Sequence, residues 1–162
     1  MSRRTAAPTP AIACLLREGV AHVVHRYEAG STGEGYGAEA ALALGVEEAV
    51  VHKTLVVTTS DEQLVVAVVP VTGRLDLRAL AAAVGARRAS LADAAAAERA
   101  TGYVLGGISP LGQRRSLPTV VDEGALLHPT VFVSGGRRGL ELELDPRDLV
   151  RLVAATVAAI TA

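Results

Sequence analysis

Lys53 is the residue whose type most suggests chemistry, because the 162-residue chain contains 15 arginines and only this one lysine. Arginine stays protonated, whereas the pKa of a lysine ammonium can be tuned by its surroundings. Strand alternation places Lys53 on the same face as Leu55 and Val57, with His52 and Thr54 on the other face. The ammonium is therefore predicted to face an apolar interior, where it needs a partner, a ligand or a cavity. An edge lysine that extends to water is an equally weighted alternative.

A glycine-rich segment follows a predicted strand directly and consists of Gly106, Gly107, Ile108, Ser109 and Pro110. Glycines at such a place let backbone N–H groups approach a carbonyl or an oxyanion closely. On sequence alone, a tight turn between strands is the commoner origin of this pattern. The chain lacks the G-x-x-x-x-G-K-[S/T], G-x-G-x-x-G and G-x-S-x-G patterns. Phosphate-binding loops and a hydrolase nucleophile elbow are therefore unsupported.

The other candidate groups favour neither a metal site nor a protein nucleophile. Cys14 is the only cysteine, which excludes an internal disulfide and a multi-cysteine metal site. Its position among small helical residues predicts a packed core residue. His22 and His25 form an H-x-x-H pattern on a predicted strand, where this spacing sends the side chains to opposite faces. We expect no metal and no cofactor.

A formal net charge of -1 gives no overall attraction to a polyanion. Binding of nucleic acid would have to rely on local arginine clusters, for which the doublets Arg87-Arg88, Arg114-Arg115 and Arg137-Arg138 are candidates. The basic N-terminus lacks the apolar stretch of a secretory signal, and no run of about 18 apolar residues occurs. We expect a cytoplasmic protein that does not associate with a membrane.

Periodicity, caps and turn residues predict the elements that position these groups. Helices are expected over 10–18, 38–44, 77–84, 91–101 and 146–160, with Ser90 and Asp93 forming a capping box for the fourth. Strands are expected over 22–27, 50–59, 64–71, 103–105, 119–122, 130–134 and 140–144, with a hairpin at 60–63. This order predicts a single α+β domain over 9–162 after a flexible tail over 1–8. The domain would hold a mixed, largely antiparallel sheet or open barrel with surrounding helices.

Four segments of the chain form a collinear set of motifs: VVHKTLVV, VVPVTGRLDL, ATGYVLGGISPLGQRRSLPTVVD and VFVSGGRRGLELEL. Together they resemble the YbaK/EbsC family of aminoacyl-tRNA deacylases, and the run TGYVLGGISPLGQ is the most specific part. The resemblance extends from about Pro10 into the final helix. It is greater to the branch that edits Cys-tRNA(Pro) than to the branch that edits alanyl-tRNA(Pro). It implies a domain related to the editing insertion of bacterial prolyl-tRNA synthetase.

The resemblance also implies site residues, with Lys53 as the catalytic residue. The implied substrate-binding residues are Tyr27, Tyr36, Gly37, Gly106, Gly107, Ile108, Ser109, Pro110, Ser134, Gly135 and Glu141. The glycine loop would hold the aminoacyl carbonyl and the terminal adenosine. Three positions depart from the family pattern: Glu141 replaces an aspartate, His52 an aromatic residue and Tyr36 a phenylalanine. The longer carboxylate of Glu141 could pair with Lys53 or bind the substrate amine, so its role stays open.

The implied activity is trans-editing, the removal of mischarged cysteine from tRNA(Pro) and also from tRNA(Cys). No protein nucleophile is implied, because the thiol of the misattached cysteine would attack its own ester. Mischarged tRNA(Pro) and prolyl-tRNA synthetase are the implied partners, and the oligomeric state is not predicted. Two alternatives stay open. One is deacylation of Ala-tRNA(Pro) or another small aminoacyl-tRNA, and the other is a non-catalytic module that binds tRNA or a synthetase.

Overall fold

The computed structural model describes residues 7–29 and 36–162 of the chain. Its helices are α1 (Pro10–Glu18), α2 (Tyr36–Leu44), α3 (Leu77–Ala83), α4 (Ala94–Thr101) and α5 (Pro146–Leu152). Its strands are β1 (Val23–Arg26), β2 (His52–Thr59), β3 (Leu64–Pro70), β4 (Ala89–Leu91), β5 (Thr119–Asp122), β6 (Val131–Ser134), β7 (Leu140–Leu144) and β8 (Thr156–Ala158). Most of the predicted tail over 1–8 lies outside the described residues, as does the stretch 30–35.

The strands form two sheets rather than one. The smaller is antiparallel, in the order β1-β7-β6, and the larger runs β4-β2-β3-β5-β8. In the larger sheet β2 pairs antiparallel with β3 and β4, whereas β5 runs parallel to both β3 and β8. The sheets meet where Val51 bridges Phe132. The prediction of a mixed, largely antiparallel α+β fold is confirmed, and the barrel is not closed.

The period of two in the hairpin strands decides which layer each side chain joins. Val56 and Val66 enter the main core between the sheets, together with Leu140 and Leu142 of β7. Their neighbours along β2 and β3 join a second cluster beneath α3, around Leu80. A third, smaller cluster lies beneath α2 and includes Val51 and Phe132. Burial of these aliphatic side chains on both faces of the hairpin is the main stabilisation of the fold.

Helix ends follow the capping residues in the sequence, with one correction. The Thr9 hydroxyl accepts a hydrogen bond from the Ile12 amide, and Gly19 ends α1 in the left-handed conformation. Asp93 accepts from the amide of Ala96 and is the N-cap of α4. The predicted capping box with Ser90 is wrong, because Ser90 lies in β4 and pairs with Thr58 of β2. Residues around Ser90 pair with the free edge of β2, which gives their backbone groups hydrogen-bond partners. The first turn of a helix would leave its amides without such partners.

Two other predicted elements are wrong. Residues 103–105 form no strand, because the Gly107 amide donates to the Val104 carbonyl at 2.9 Å and turns the chain. The last helix ends at Leu152 instead of continuing to 160, and the chain then adds β8 to the edge of β5. The spacing of apolar residues in this segment fits either a helix or a strand. Its β-branched side chains favour the strand, which pairs with β5. In the described ranges no helix is long and apolar enough to cross a bilayer.

Asp122 ties the end of the chain to the larger sheet. Its side chain is buried and accepts hydrogen bonds from the amides of Ile160 and Gly124, each at 3.0 Å. Replacing it by alanine leaves the buried Ile160 amide and the half-buried Gly124 amide without an acceptor. We predict that Asp122→Ala lowers the free energy of unfolding by about 3 kcal/mol, measured by urea denaturation. The exposed Asp61→Ala is the control and should change stability by less than about 0.5 kcal/mol. Equal losses in both variants would contradict the assignment.

Candidate functional site

A cavity of about 390 Å³ opens between the two sheets, the start of α2 and two loops. Seven of the residues expected in the site line it: Tyr27, Gly37, Lys53, Gly106, Ile108, Ser134 and Glu141. Residues that were not expected there complete the wall: Ala38, Val51, His52, Thr54, Leu55, Val71, Leu105, Arg137 and Arg138. The cavity therefore brings the lysine and part of the glycine loop together.

Lys53 lies one residue inside β2, where it pairs with Val69 of β3. Its neighbours Leu55 and Val57 belong to the apolar layer beneath α3, in agreement with the predicted alternation. Lys53 is half-buried and lines the cavity. Within residues 7–29 and 36–162 its ammonium makes no salt bridge, including none to Glu141. The only lysine is thus a cation available to a ligand in the cavity.

The glycine loop offers two backbone amides rather than a continuous row. The Gly107 amide is used within the turn, whereas those of Gly106 and Ile108 donate no hydrogen bond in the described ranges. Gly106 has a φ of 88°, a conformation that favours glycine. At Gly107 a Cβ would lie 2.7 Å from the Arg137 Cα, so a side chain would push the two loops apart. Gly106 and Ile108 line the cavity, and both can donate to a bound oxygen.

Other predicted binding residues of this region lie behind the cavity wall. Gly107, Ser109, Pro110 and Gly135 are not among the lining residues. Ser109 is fully buried, its hydroxyl accepts from the Leu111 amide, and its carbonyl accepts from Gln113. The Gly135 carbonyl accepts a hydrogen bond from the Thr9 hydroxyl. These contacts shape the loops, and a direct role in substrate binding stays a prediction.

The start of α2 forms the opposite wall. A Cβ at Gly37 would clash with the Val71 side chain, so only glycine lets α2 pack this close to the end of β3. Tyr27 lies beside it, and burial raises the pKa of its phenol. The side chain of Tyr36 lies outside the described residues, so its predicted role is untested. Two of the three predicted pocket positions in this region therefore line the cavity.

Two glutamates on one face of β7 have opposite electrostatic environments. Glu143 accepts hydrogen bonds from Thr130 at 2.6 Å and from His25 at 2.9 Å, and these lower its pKa. Glu141 is 8% exposed, and its Oε2 has no hydrogen-bond partner in the described ranges. Burial raises the pKa of Glu141 to about 8. At neutral pH this carboxyl is therefore a neutral acid within the cavity wall.

The two arginines of the 137–138 doublet differ in their contacts. Arg138 forms a salt bridge of 3.1 Å to Glu39 of α2, which ties the loop to the helix. Arg137 is exposed and makes no salt bridge in the part of the chain that the structure describes. The sequence marked this doublet as a candidate contact for nucleic acid. Its position at the cavity could not be read from the sequence.

His52 is another residue that sequence reasoning did not place at the cavity. Its Nδ1 lies 3.1 Å from the Val50 carbonyl, so Nδ1 carries the proton. Burial lowers the pKa of His52, which keeps the imidazole neutral. Among the described residues, no group of three or more His, Cys, Asp or Glu side chains could hold a metal ion.

Comparisons with known proteins show the family of the chain. The model of the aminoacyl-tRNA editing domain matches residues 34–152. A protein of Enterococcus faecalis named as the Cys-tRNA(Pro)/Cys-tRNA(Cys) deacylase EbsC is 37% identical over 118 residues, which cover 73% of this chain and 72% of that protein. The chain belongs to the YbaK/EbsC family of aminoacyl-tRNA deacylases. The predicted family and enzyme class are therefore confirmed, and mischarged tRNA is the substrate of the deacylase.

Solved structures of similar proteins share the fold of this chain over nearly its full length. A crystal structure described as a trans-editing enzyme for prolyl-tRNA synthetase superposes with a TM-score of 0.81 at 27% identity, covering 94% of this chain and 95% of that one. The hypothetical protein APE2540 gives a TM-score of 0.85 at 29% identity, covering 95% and 100%. The deacylase thus has the fold that the resemblance implied.

The raised pKa of Glu141 makes the stability of the deacylase depend on pH. The folded chain holds a proton up to about pH 8, whereas an ordinary glutamate releases it near 4.5. The free energy of unfolding should therefore fall as the pH rises from about 4.5 to about 8. We predict that Glu141→Gln removes this fall and is more stable than the wild type at pH 8.

Urea denaturation at several pH values measures this effect. The exposed Glu48→Gln is the matched control and should keep the wild-type pH dependence. A Glu141→Gln variant whose stability falls with pH as steeply as that of the wild type would show that another group is responsible.

Proposed function

We propose that this deacylase removes cysteine from mischarged tRNA(Pro), with Cys-tRNA(Cys) as a further substrate. The observation that carries the proposal is that Lys53, Gly106 and Ile108 line one cavity, with the Gly106 and Ile108 amides and the Lys53 ammonium unpaired in the described ranges. The name of the Enterococcus faecalis relative supports the choice of amino acid and tRNA. This arrangement suits an ester carbonyl whose oxygen gains negative charge during cleavage.

The cavity lacks an activated protein nucleophile within the described ranges. Ser134 is a hydroxyl residue of the cavity wall, but its Oγ accepts from the Gly136 amide and forms no hydrogen bond to a histidine or carboxylate in the described ranges. His25 lies on β1, which β7 separates from the strand of Ser134, and its Nε2 is hydrogen-bonded to Glu143. Cys14 is buried in α1 and does not line the cavity. A nucleophile supplied by the substrate is consistent with these contacts.

The reaction that follows is an intramolecular transesterification. The sulfur of the misattached cysteine attacks its own carbonyl carbon, and the bond from that carbon to the ribose oxygen breaks. The thiol proton is transferred to the departing oxygen, so the products are a cyclic cysteine thiolactone and tRNA with a free terminal hydroxyl. Lys53 and the two amides stabilise the carbonyl oxygen while it is negatively charged. Because nucleophile and ester belong to one molecule, the protein mainly fixes their geometry.

Selection of the tRNA is proposed to depend on prolyl-tRNA synthetase. The chain has a net charge of -1, which offers little general attraction to tRNA. One structural relative is described as a trans-editing enzyme for that synthetase. Size alone separates cysteine from alanine or proline by only about 1–3 kcal/mol. A chemical requirement for the thiol together with a synthetase that presents tRNA(Pro) would supply the missing discrimination.

Removal of the lysine tests the catalytic site. We predict that Lys53→Ala lowers kcat/KM for Cys-tRNA(Pro) by about 100-fold or more, the effect of losing one donor to an oxyanion. Lys53→Arg keeps the charge but not the compact ammonium, so its kcat/KM should lie between those of the wild type and Lys53→Ala. Release of labelled cysteine measures the rates, and the exposed Arg78→Ala is the control for a lost surface cation. Equal rates for wild type and Lys53→Ala would remove Lys53 from the mechanism.

A panel of esters on the same tRNA tests the thiol requirement. We predict rapid cleavage of the cysteine ester, with serine and alanine esters cleaved at the rate seen without protein. Serine differs from cysteine only in the attacking atom, so its hydroxyl is the closest control. Each ester is measured on tRNA(Pro) and tRNA(Cys), with and without prolyl-tRNA synthetase. Serine release as fast as cysteine release would eliminate the thiol mechanism, and preferred alanine release would assign the alanyl-tRNA activity instead.

A further inference from the structure

Arg137 is a cation at the cavity with no assigned task. Its neighbour Arg138 is bound to Glu39 at 3.1 Å, and so connects the loop to α2. Arg137 lines the same cavity, is exposed, and forms no salt bridge in residues 7–29 and 36–162. The doublet therefore contains one arginine used by the fold and one whose guanidinium is open to a ligand. Glu98, the acidic residue nearest the glycine loop in sequence, accepts a hydrogen bond from the Leu105 amide at 2.9 Å.

The backbone of Arg137 is held in a fixed place beside the glycine loop. A Cβ on Gly107 would lie 2.7 Å from the Arg137 Cα, so the two chains are already in close contact. The Arg137 carbonyl accepts a hydrogen bond from the Leu140 amide at 3.3 Å, which closes the turn before β7. The side chain therefore starts from the same edge of the cavity as the amides of Gly106 and Ile108. Its position relative to a bound ester is set by packing rather than by a flexible loop.

We propose that Arg137 binds the 5′-phosphate of the terminal nucleotide of the tRNA. This inference rests on the proposed function, which places the aminoacyl ester between Lys53 and the Gly106 amide. Only one ribose separates that ester from the phosphate, so the phosphate must lie at the cavity mouth. A guanidinium presents paired N–H donors that match phosphate oxygens, and an exposed arginine without a carboxylate partner keeps those donors free. Arg137 is thus a specificity residue that distinguishes a nucleotide ester from a plain nucleoside ester.

Two small substrates isolate this contact: the 3′-cysteinyl ester of adenosine and the same ester carrying a 5′-phosphate. We expect the wild-type deacylase to show a KM about tenfold lower for the phosphorylated ester, as one charge-assisted contact would give. In Arg137→Gln the two KM values should become equal, because the phosphate loses its partner. Arg137→Lys retains the charge and should restore part of the difference. With whole Cys-tRNA(Pro), Arg137→Gln should reduce the slope of log KM against log salt by about one.

Arg78→Gln is the matched control, since Arg78 is also an exposed arginine without a salt bridge in the described ranges but does not line the cavity. It should keep the wild-type preference for the phosphorylated ester. Thermal unfolding of each variant confirms that it is folded. The proposed phosphate contact is overturned if Arg137→Gln keeps the tenfold difference in KM. It is also overturned if the variant raises the KM of both esters by the same factor. If the wild type cleaves neither ester nor Cys-tRNA(Pro), the proposed function itself fails, which is a distinct result.

Discussion

The close contact between the glycine turn and the Arg137 backbone is the constraint on which the site depends. Because Gly107 has no Cβ, the turn can lie against the loop between β6 and β7. Tyr103 fixes the same region, since its hydroxyl donates to the Leu111 carbonyl at 2.6 Å and its ring packs against Gly136. Two segments distant in the sequence thereby form a single rim. The free amides and the free guanidinium take their positions from that rim.

The cavity lies where a single isolated backbone bridge joins the two sheets in the described ranges. Val51, which precedes β2, forms this bridge with Phe132 of β6. Glu141 and Ser134 on the smaller sheet then line the same cavity as Lys53 of the larger one, and α2 covers it through Gly37. A fully closed barrel would pair these backbones and leave no room for a substrate. Incomplete closure is thus the structural condition for activity.

Two polar groups of the cavity, the Lys53 ammonium and the Glu141 Oε2, have no salt bridge or hydrogen bond within residues 7–29 and 36–162. The buried Asp122 and the half-buried Glu143 each accept two hydrogen bonds, as carboxylates shielded from water ordinarily do. Glu141 lacks a partner for Oε2, and Lys53 has no salt bridge in the described ranges. Buried groups of this kind destabilise the empty fold, and their perturbed environments are typical of functional sites. The well-filled aliphatic cores on both faces of the β2–β3 hairpin offset that cost.

The sequence by itself determined the features that depend on local chemistry. Thr9 and Gly19 define α1, the β-branched residues define the hairpin, and the singular Lys53 with its strand alternation pointed to a cavity. The family strings identified the enzyme class. Tertiary structure decided what depends on a distant partner. Ser90 pairs with β2 instead of capping a helix, and the final segment extends the sheet because β5 offers a free edge. Likewise, only packing decided that Arg138 forms a salt bridge with Glu39 while Arg137 forms none in the described ranges. The sequence cannot distinguish two adjacent arginines, because the difference between them comes from a distant segment that packs beside only one.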